Sequence, residues 1–170
     1  VVVSTDSERI AKIAKSFGAE VPFLRPKYLS IDNCSELLAW KHSIKYFLKY
    51  FGNLPDPFIS LPTTSPLRNV NDINKCINLY FKSNIDGVIT ITDAKKNPEF
   101  NIIKISRNKN VKIAIKPKTS PINRQKASKY FEITTVAYVF NPKYILEDNS
   151  LMAGNVKGVY IPQERSIDID

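Results

Sequence analysis

The residues best placed to do chemistry stand at the end of the chain, in Ser166-Ile167-Asp168-Ile169-Asp170. Two carboxylates two positions apart in an extended segment project to one face about 6.5 Å apart, close enough to share a hydrated divalent cation. Side by side they repel, and a metal removes that cost. The same pair also fits an exposed polar chain end, so the spacing alone leaves both readings open. A second cluster is Leu61-Pro62-Thr63-Thr64-Ser65-Pro66-Leu67-Arg68. Its prolines stiffen the loop, Thr64 and Ser65 can turn hydroxyls toward a ligand, and Arg68 can grip a carboxylate or phosphate with a two-donor fork. A rigid connecting loop that caps a helix explains this cluster equally well.

Elements that could position these clusters are readable from the periodicity. Residues 1–4, 21–24, 58–61 and 87–92 read as buried strands. Residues 8–17 carry Ile10, Ala11, Ile13, Ala14 and Phe17 at helical spacing before Gly18. Asp32 or Asn33 is expected to cap a helix running to about Tyr50 and closed by Gly52-Asn53, and Asn71 or Asp72 to cap one through Phe81. Strands separated by helices imply right-handed βαβ crossovers, hence a three-layer, Rossmann-like α/β fold with a mainly parallel sheet. Ligands in such sheets sit beyond the carboxyl ends of strands, which directs attention to the loops after Ser4, Leu61 and Thr92. Beyond Thr92 the pattern shortens to extended pieces at 100–105 and 111–115 joined by Lys-Asn turns, as in a small antiparallel arm. A core strand at 136–140, a short helix at 142–146 and an extended piece at 159–161 follow.

The length of 170 residues suits one domain with one core, spanning 1–170. With 43% hydrophobic and 24% charged residues and only short apolar runs, the chain reads as a globular protein that crosses no membrane. The opening Val1-Val2-Val3-Ser4-Thr5-Asp6 has no basic flank or small-residue cleavage site, so a cytoplasmic location is expected. Cys34 and Cys76, far apart and without a nearby histidine, read as free thiols. The net charge of +9 is local: residues 95–129 hold eleven basic side chains against Glu99, a net of +10, which leaves the remainder at −1. No aromatic platform or base-reading motif accompanies that stretch, so a solvated surface is preferred over a nucleic-acid patch. His42 reads as a surface or half-buried helix residue, and Trp40, Tyr46, Phe47, Tyr50 and Phe51 as packing aromatics.

In order along the chain stand Ser4-Thr5-Asp6-Ser7, Arg25-Pro26 followed by Leu29 and Asp32, Thr64-Ser65-Pro66-Leu67-Arg68, Arg124-Gln125, and Glu164-Arg165-Ser166-Ile167-Asp168-Ile169-Asp170. In order and approximate spacing this set resembles the acylneuraminate cytidylyltransferase (CMP-sialic acid synthetase) family, and the resemblance covers essentially the whole chain. It implies that the anomeric hydroxyl of a 3-deoxy acid sugar, sialic acid-like or related, attacks the α-phosphate of CTP to give a CMP-sugar and pyrophosphate, with magnesium as cofactor. By the same resemblance Asp168 and Asp170 hold the metal, Arg25 and Ser35 face the nucleotide, and Thr64, Ser65, Arg68, Arg124 and Tyr138 serve the sugar side. It further implies a homodimer whose arm, about 97–133, covers the neighbouring sugar site.

Three departures from the family pattern are visible. Pro62-Thr63 stands where the family has Gln-Pro, and Glu132-Ile133-Thr134-Thr135 stands where it has Arg-x-Asn-Gly. The first leaves the choice of sugar open, and the second favours a subgroup with a different acid sugar. The family's opening strand and its Ala-Arg-x-Gly-Ser-Lys triphosphate loop have no counterpart, so Val1 to Ser4 is expected to be the second core strand of a longer parent. The alternative expectation is a fragment that binds nucleotide or sugar without turnover.

Overall fold

A computed structural model describes residues 1–116, 128–147 and 150–169. In chain order the elements are α1 (Glu8–Ser16), α2 (Glu36–Phe51), β1 (Phe58–Ser60), α3 (Val70–Lys82), β2 (Gly87–Asp93), β3 (Ile103–Ile105), β4 (Val111–Ile113), β5 (Phe131–Phe140), α4 (Pro142–Glu147) and β6 (Val156–Tyr160). Four strands form a sheet in the order β1-β5-β2-β6, and β3 pairs with β4 in a separate antiparallel hairpin. The α/β class follows from this alternation.

The sheet is mixed. Asn141 N–H donates to Asp86 O, and Ala94 N–H to Tyr130 O, so β2 and β5 run in opposite directions. Asp86 N–H donates to Asn155 O and Ile161 N–H to Ile91 O, so β2 and β6 run parallel. The expected strand at residues 1–4 and its partner at 21–24 exist only as isolated parallel bridges, Val2 with Glu20 and Thr5 with Leu24.

The chain separates into two compact units. The first comprises Val1–Ser60, Ser83–Gly87 and Val139–Val156. Its core gathers Trp40 and Ile44 of α2, Val139 and Phe140 of β5, and Ile145 of α4, all buried. Trp40 lies 5.7 Å from Phe58 and 6.3 Å from Phe140 between ring centroids, so its aromatic bulk fills space as expected. A Cβ at Gly87 would overlap the Phe140 ring, which fixes glycine there. The caps expected at Asp32 or Asn33 are not used. Residues 31–34 instead close a turn, Cys34 N–H to Ile31 O, and α2 starts after extended Ser35, with Glu36 in its first turn favouring the positive helix end. Gly52, at φ 74°, ends the helix in the left-handed conformation that side chains disfavour.

The second unit comprises Leu61–Lys82, Val88–Tyr138 and Lys157–Asp170. Its core combines Cys76 and Tyr80 of α3, Val88 and Ile89 of β2, Val136 and Ala137 of β5, and Ile161. A buried hydroxyl knits the two central strands: Thr90 Oγ1 accepts from the Thr134 hydroxyl at 2.7 Å and from Ala137 N–H at 3.2 Å, and donates to Thr134 O at 3.1 Å. The cap of α3 is Asn69, whose Oδ1 accepts from Asn71 N–H at 2.8 Å. The Asn71 or Asp72 cap expected from sequence is therefore displaced upstream, and Asp72 lies inside the helix.

Candidate active site

Polar order in the second unit begins at the loop 61–68. Arg68 does not present its guanidinium to a ligand. Its Nε donates to Val136 O at 2.6 Å, and its Nη2 donates to Thr135 O at 3.1 Å and to Pro62 O. Burial lowers its pKa from the usual arginine value, yet it remains the cation of this cluster. The side chain thus ties the loop to β5, which corrects the expected carboxylate or phosphate clamp. Ser65 is likewise turned inward: it is buried, and its Oγ lies 2.7 Å from Thr135 Oγ1. Thr64 is half-buried, and its hydroxyl has no hydrogen-bond partner among the described residues. Of the loop's predicted ligands, only Thr64 keeps a hydroxyl unclaimed by the protein.

The loop meets the chain end directly. Thr64 O accepts a hydrogen bond from Ile169 N–H at 2.9 Å, which brings the backbone next to Asp168 to the loop at Thr64. Asp168 is exposed and makes no ion pair among the described residues. A 3-10 turn at Gln163–Arg165 leads into the segment, and Ser166 has φ −96° and ψ 9°. Asp170 and Arg124 lie outside the described residues, so Asp168 carries the metal reading here. Among the described residues no three His, Cys, Asp or Glu side chains gather to hold a metal ion, so Asp168 alone is left as a hard oxygen donor there.

A partly buried ion pair lies just upstream, and sequence reading missed it. Arg165 Nε and Nη2 donate to Asp72 Oδ2 and Oδ1 at 2.7 and 3.1 Å, a two-pronged pair across 93 positions. Asp72 has no exposed surface, and Lys75 Nζ stands 3.6 Å from its Oδ1. The hydrogen bonds from Arg165, reinforced by the charges of Arg165 and Lys75, outweigh desolvation and hold the Asp72 carboxyl below its usual range. Arg165 is correspondingly raised, first through its hydrogen bond to Asp72. The sequence signal was an acidic residue in the first turn of an amphipathic helix, indistinguishable there from a cap.

The remaining expected residues are placed as follows. Tyr138 is half-buried on β5 between buried Ala137 and Val139. Thr134 and Thr135, where the family pattern differs, serve the Thr90 and Ser65 contacts. Glu132 Oε1 accepts from Lys95 N–H at 2.9 Å. These three positions have structural partners within the chain, so the expectation that they set sugar choice gains no support from their contacts. At the end of β2, Asp93 accepts from the Tyr160 hydroxyl at 2.7 Å and pairs with Lys129 at 3.2 Å.

Arg25 and Ser35 belong to the first unit. Arg25 Nε donates to Ser30 Oγ at 3.1 Å and its Nη2 stands 3.8 Å from Asp6, which orients a guanidinium that remains partly exposed. Ser35 is exposed, and its hydroxyl makes no capping bond. His42, packed edge-on to Phe23 at 4.8 Å, has its pKa lowered by burial and then by the charge of Arg25, which favours the neutral ring.

Among known proteins, the chain is 31% identical over all 170 residues to the CMP-N,N'-diacetyllegionaminic acid synthase of Campylobacter jejuni subsp. jejuni, spanning 71% of that protein. The same identity and coverage relate it to the post-translational flagellin modification protein B of Campylobacter coli. Among solved structures, a CMP:2-keto-3-deoxy-manno-octonic acid synthetase complexed with CTP superposes with a TM-score of 0.63 at 14% identity, covering 95% of this chain and 72% of that one. That likeness concerns the fold. No protein-family model matches the chain.

Proposed function

The chain belongs to the family of the CMP-legionaminic acid synthases and N-acylneuraminate cytidylyltransferases, and from that premise we propose that it transfers the CMP group of CTP to the anomeric hydroxyl of a nine-carbon 3-deoxy acid sugar, releasing pyrophosphate. The enzyme class, a nucleotidyltransferase, comes with the family. Legionaminic-type sugars head the candidate substrates because a synthase for such a sugar is 31% identical over the full chain. The product would serve surface-glycan synthesis, in line with a flagellin-modification relative of equal identity. The reading places the work in the cytoplasm, where CTP is available, and no helix among the described residues is long and apolar enough to cross a membrane.

One observation supports the active-site reading: the Thr64–Ile169 hydrogen bond holds the backbone next to Asp168 on the loop that Arg68 and Ser65 tie to β5. In-line phosphoryl transfer asks a protein mainly for positioning and charge neutralisation. Asp168, with Asp170, would hold magnesium, which when bound neutralises charge at the reacting phosphate. The chain's own contribution is geometric. Arg25, oriented by Ser30 and Asp6, offers a cation to the nucleotide, and Ser35 offers a free hydroxyl at the start of α2. Thr64 and Tyr138, with Arg124, are the groups that would meet the sugar. Arg68 acts behind them by fixing Pro62 and β5.

The reading includes a homodimer formed through the arm at about 97–133. The β3–β4 hairpin pairs Ile103 with Ile113 and Ile105 with Val111, and all four are exposed. A lone two-stranded hairpin with an uncovered apolar surface needs a partner for stability. Small-angle scattering at rising concentration tests this, with a dimer expected and a persistent monomer counting against it.

The activity is tested by pyrophosphate release from CTP and magnesium across a panel of acid sugars. Release with at least one nonulosonic acid, and with CTP over the other nucleoside triphosphates, is expected. No release with any sugar would overturn the reading.

A further inference from the structure

Asp168 sits between two tethers that have nothing to do with its own side chain. Upstream, Arg165 closes a 3-10 turn through its N–H to Pro162 O at 3.0 Å, and its guanidinium grips the buried Asp72 carboxylate of α3. Ser166 seals the turn with its N–H and hydroxyl on Gln163 O. Downstream, Ile169 N–H is held by Thr64 O, in a loop itself fixed to β5 by Arg68 and Ser65. The three residues between, 166–168, form no strand or helix. Without the tethers nothing regular would hold the carboxylate in place.

Burying the Asp72 carboxylate costs desolvation that its partly exposed partner Arg165 has to offset, so the pair is a poor device for stability alone. It is a good device for direction, because a two-pronged guanidinium–carboxylate contact fixes angle as well as distance. The groups facing Asp72 are Arg165 and Lys75, and Glu164 stands 3.8 Å from Arg165 Nη1, so the pair is compensated locally and leaves Asp168 free.

We infer that Asp72 and Arg165, together with the Thr64–Ile169 hydrogen bond, are positioning elements that pre-set Asp168 for a divalent cation. The inference rests on the proposed metal role of Asp168. Ligand-orienting groups of this kind typically change metal affinity about 10–100-fold when altered.

The test is a Mn2+ titration of the purified protein followed by water-proton relaxation, with and without CTP, on protein shown by melting to be folded. Arg165→Lys keeps the charge and removes the fork; Asp72→Asn keeps the shape and removes the charge. Ile169→Pro removes the exposed downstream N–H donor without touching the Asp72–Arg165 pair. Each is expected to weaken Mn2+ binding about tenfold or more. Turnover should show the same split: the magnesium concentration for half-maximal rate rises, and kcat returns at saturating metal. Asp168→Ala is expected to lose the binding outright. Unchanged Mn2+ affinity in folded Arg165→Lys and Ile169→Pro, with Asp168→Ala weakened, would overturn the inference alone. Unchanged affinity in Asp168→Ala, or no binding by the unaltered protein, would overturn the metal reading and the inference with it.

Discussion

Arg165 and Asp72, 93 residues apart, meet through two hydrogen bonds of 2.7 and 3.1 Å with the carboxylate wholly buried. This pair couples the first turn of α3 to the residues just before Asp168. Stability and site geometry therefore share one contact, and variants there should read out in both.

Arg165→Ala leaves a buried carboxylate with only the partly exposed Lys75 nearby. Removing its main partner from the buried carboxylate should lower stability. Urea unfolding checks it; unchanged stability would contradict the pairing.

The pH dependence follows from the depressed Asp72 carboxyl. In the unfolded chain Asp titrates near about 3.9, so the Asp72 contribution is fully present above that pH and is lost as pH falls through the lower folded value. Melting of the unaltered protein and of Asp72→Asn, compared from pH 7 down to 2, should differ by a constant amount above about pH 5 and converge in acid. A difference that grows with acidity would have the wrong sign.

The helix and loop positions were largely legible because local pattern decides them. Residues 8–17, 58–61 and 87–92 carry enough apolar periodicity to mark α1, β1 and β2, and Gly52 marks the end of α2. What escaped was every feature decided by a distant partner. Asp72 looks like a cap until Arg165 arrives, and Arg68 looks like a ligand clamp until the carbonyls of Thr135 and Val136 take its donors. Thr134 and Thr135 look like pocket residues until Thr90 and Ser65 claim their hydroxyls. The family order of motifs names segments; it could not say which side chains face inward.

Thiol chemistry separates the two cysteines. Cys76 is fully buried, and burial, aided by the Asp72 charge, pushes its thiol up to about 11, whereas Cys34 is only half-buried. Titration with a thiol reagent at pH 8 should find one reactive group in the native protein and two after denaturation. Two fast thiols in the native state would place Cys76 wrongly.

Arg68→Ala strands the carbonyls of Pro62, Thr135 and Val136 that it now serves, at a cost of roughly 1–3 kcal/mol for the unsatisfied buried acceptors. Because the guanidinium orders the loop from behind, KM for the acid sugar should rise with KM for CTP little changed, measured by steady-state pyrophosphate release. An unchanged KM for the sugar would mean that the loop does not depend on this anchor.

The most direct measurement of the account is product formation itself. The purified protein, incubated with CTP, magnesium and N,N'-diacetyllegionaminic acid or a related nonulosonic acid, should yield the CMP-sugar by mass spectrometry, and Asp168→Ala should lower its rate at least about 100-fold, the scale of a lost electrostatic contact to the reacting phosphate. CMP-sugar formed by Asp168→Ala at an undiminished rate, or none formed by the unaltered protein with any acid sugar, would contradict it.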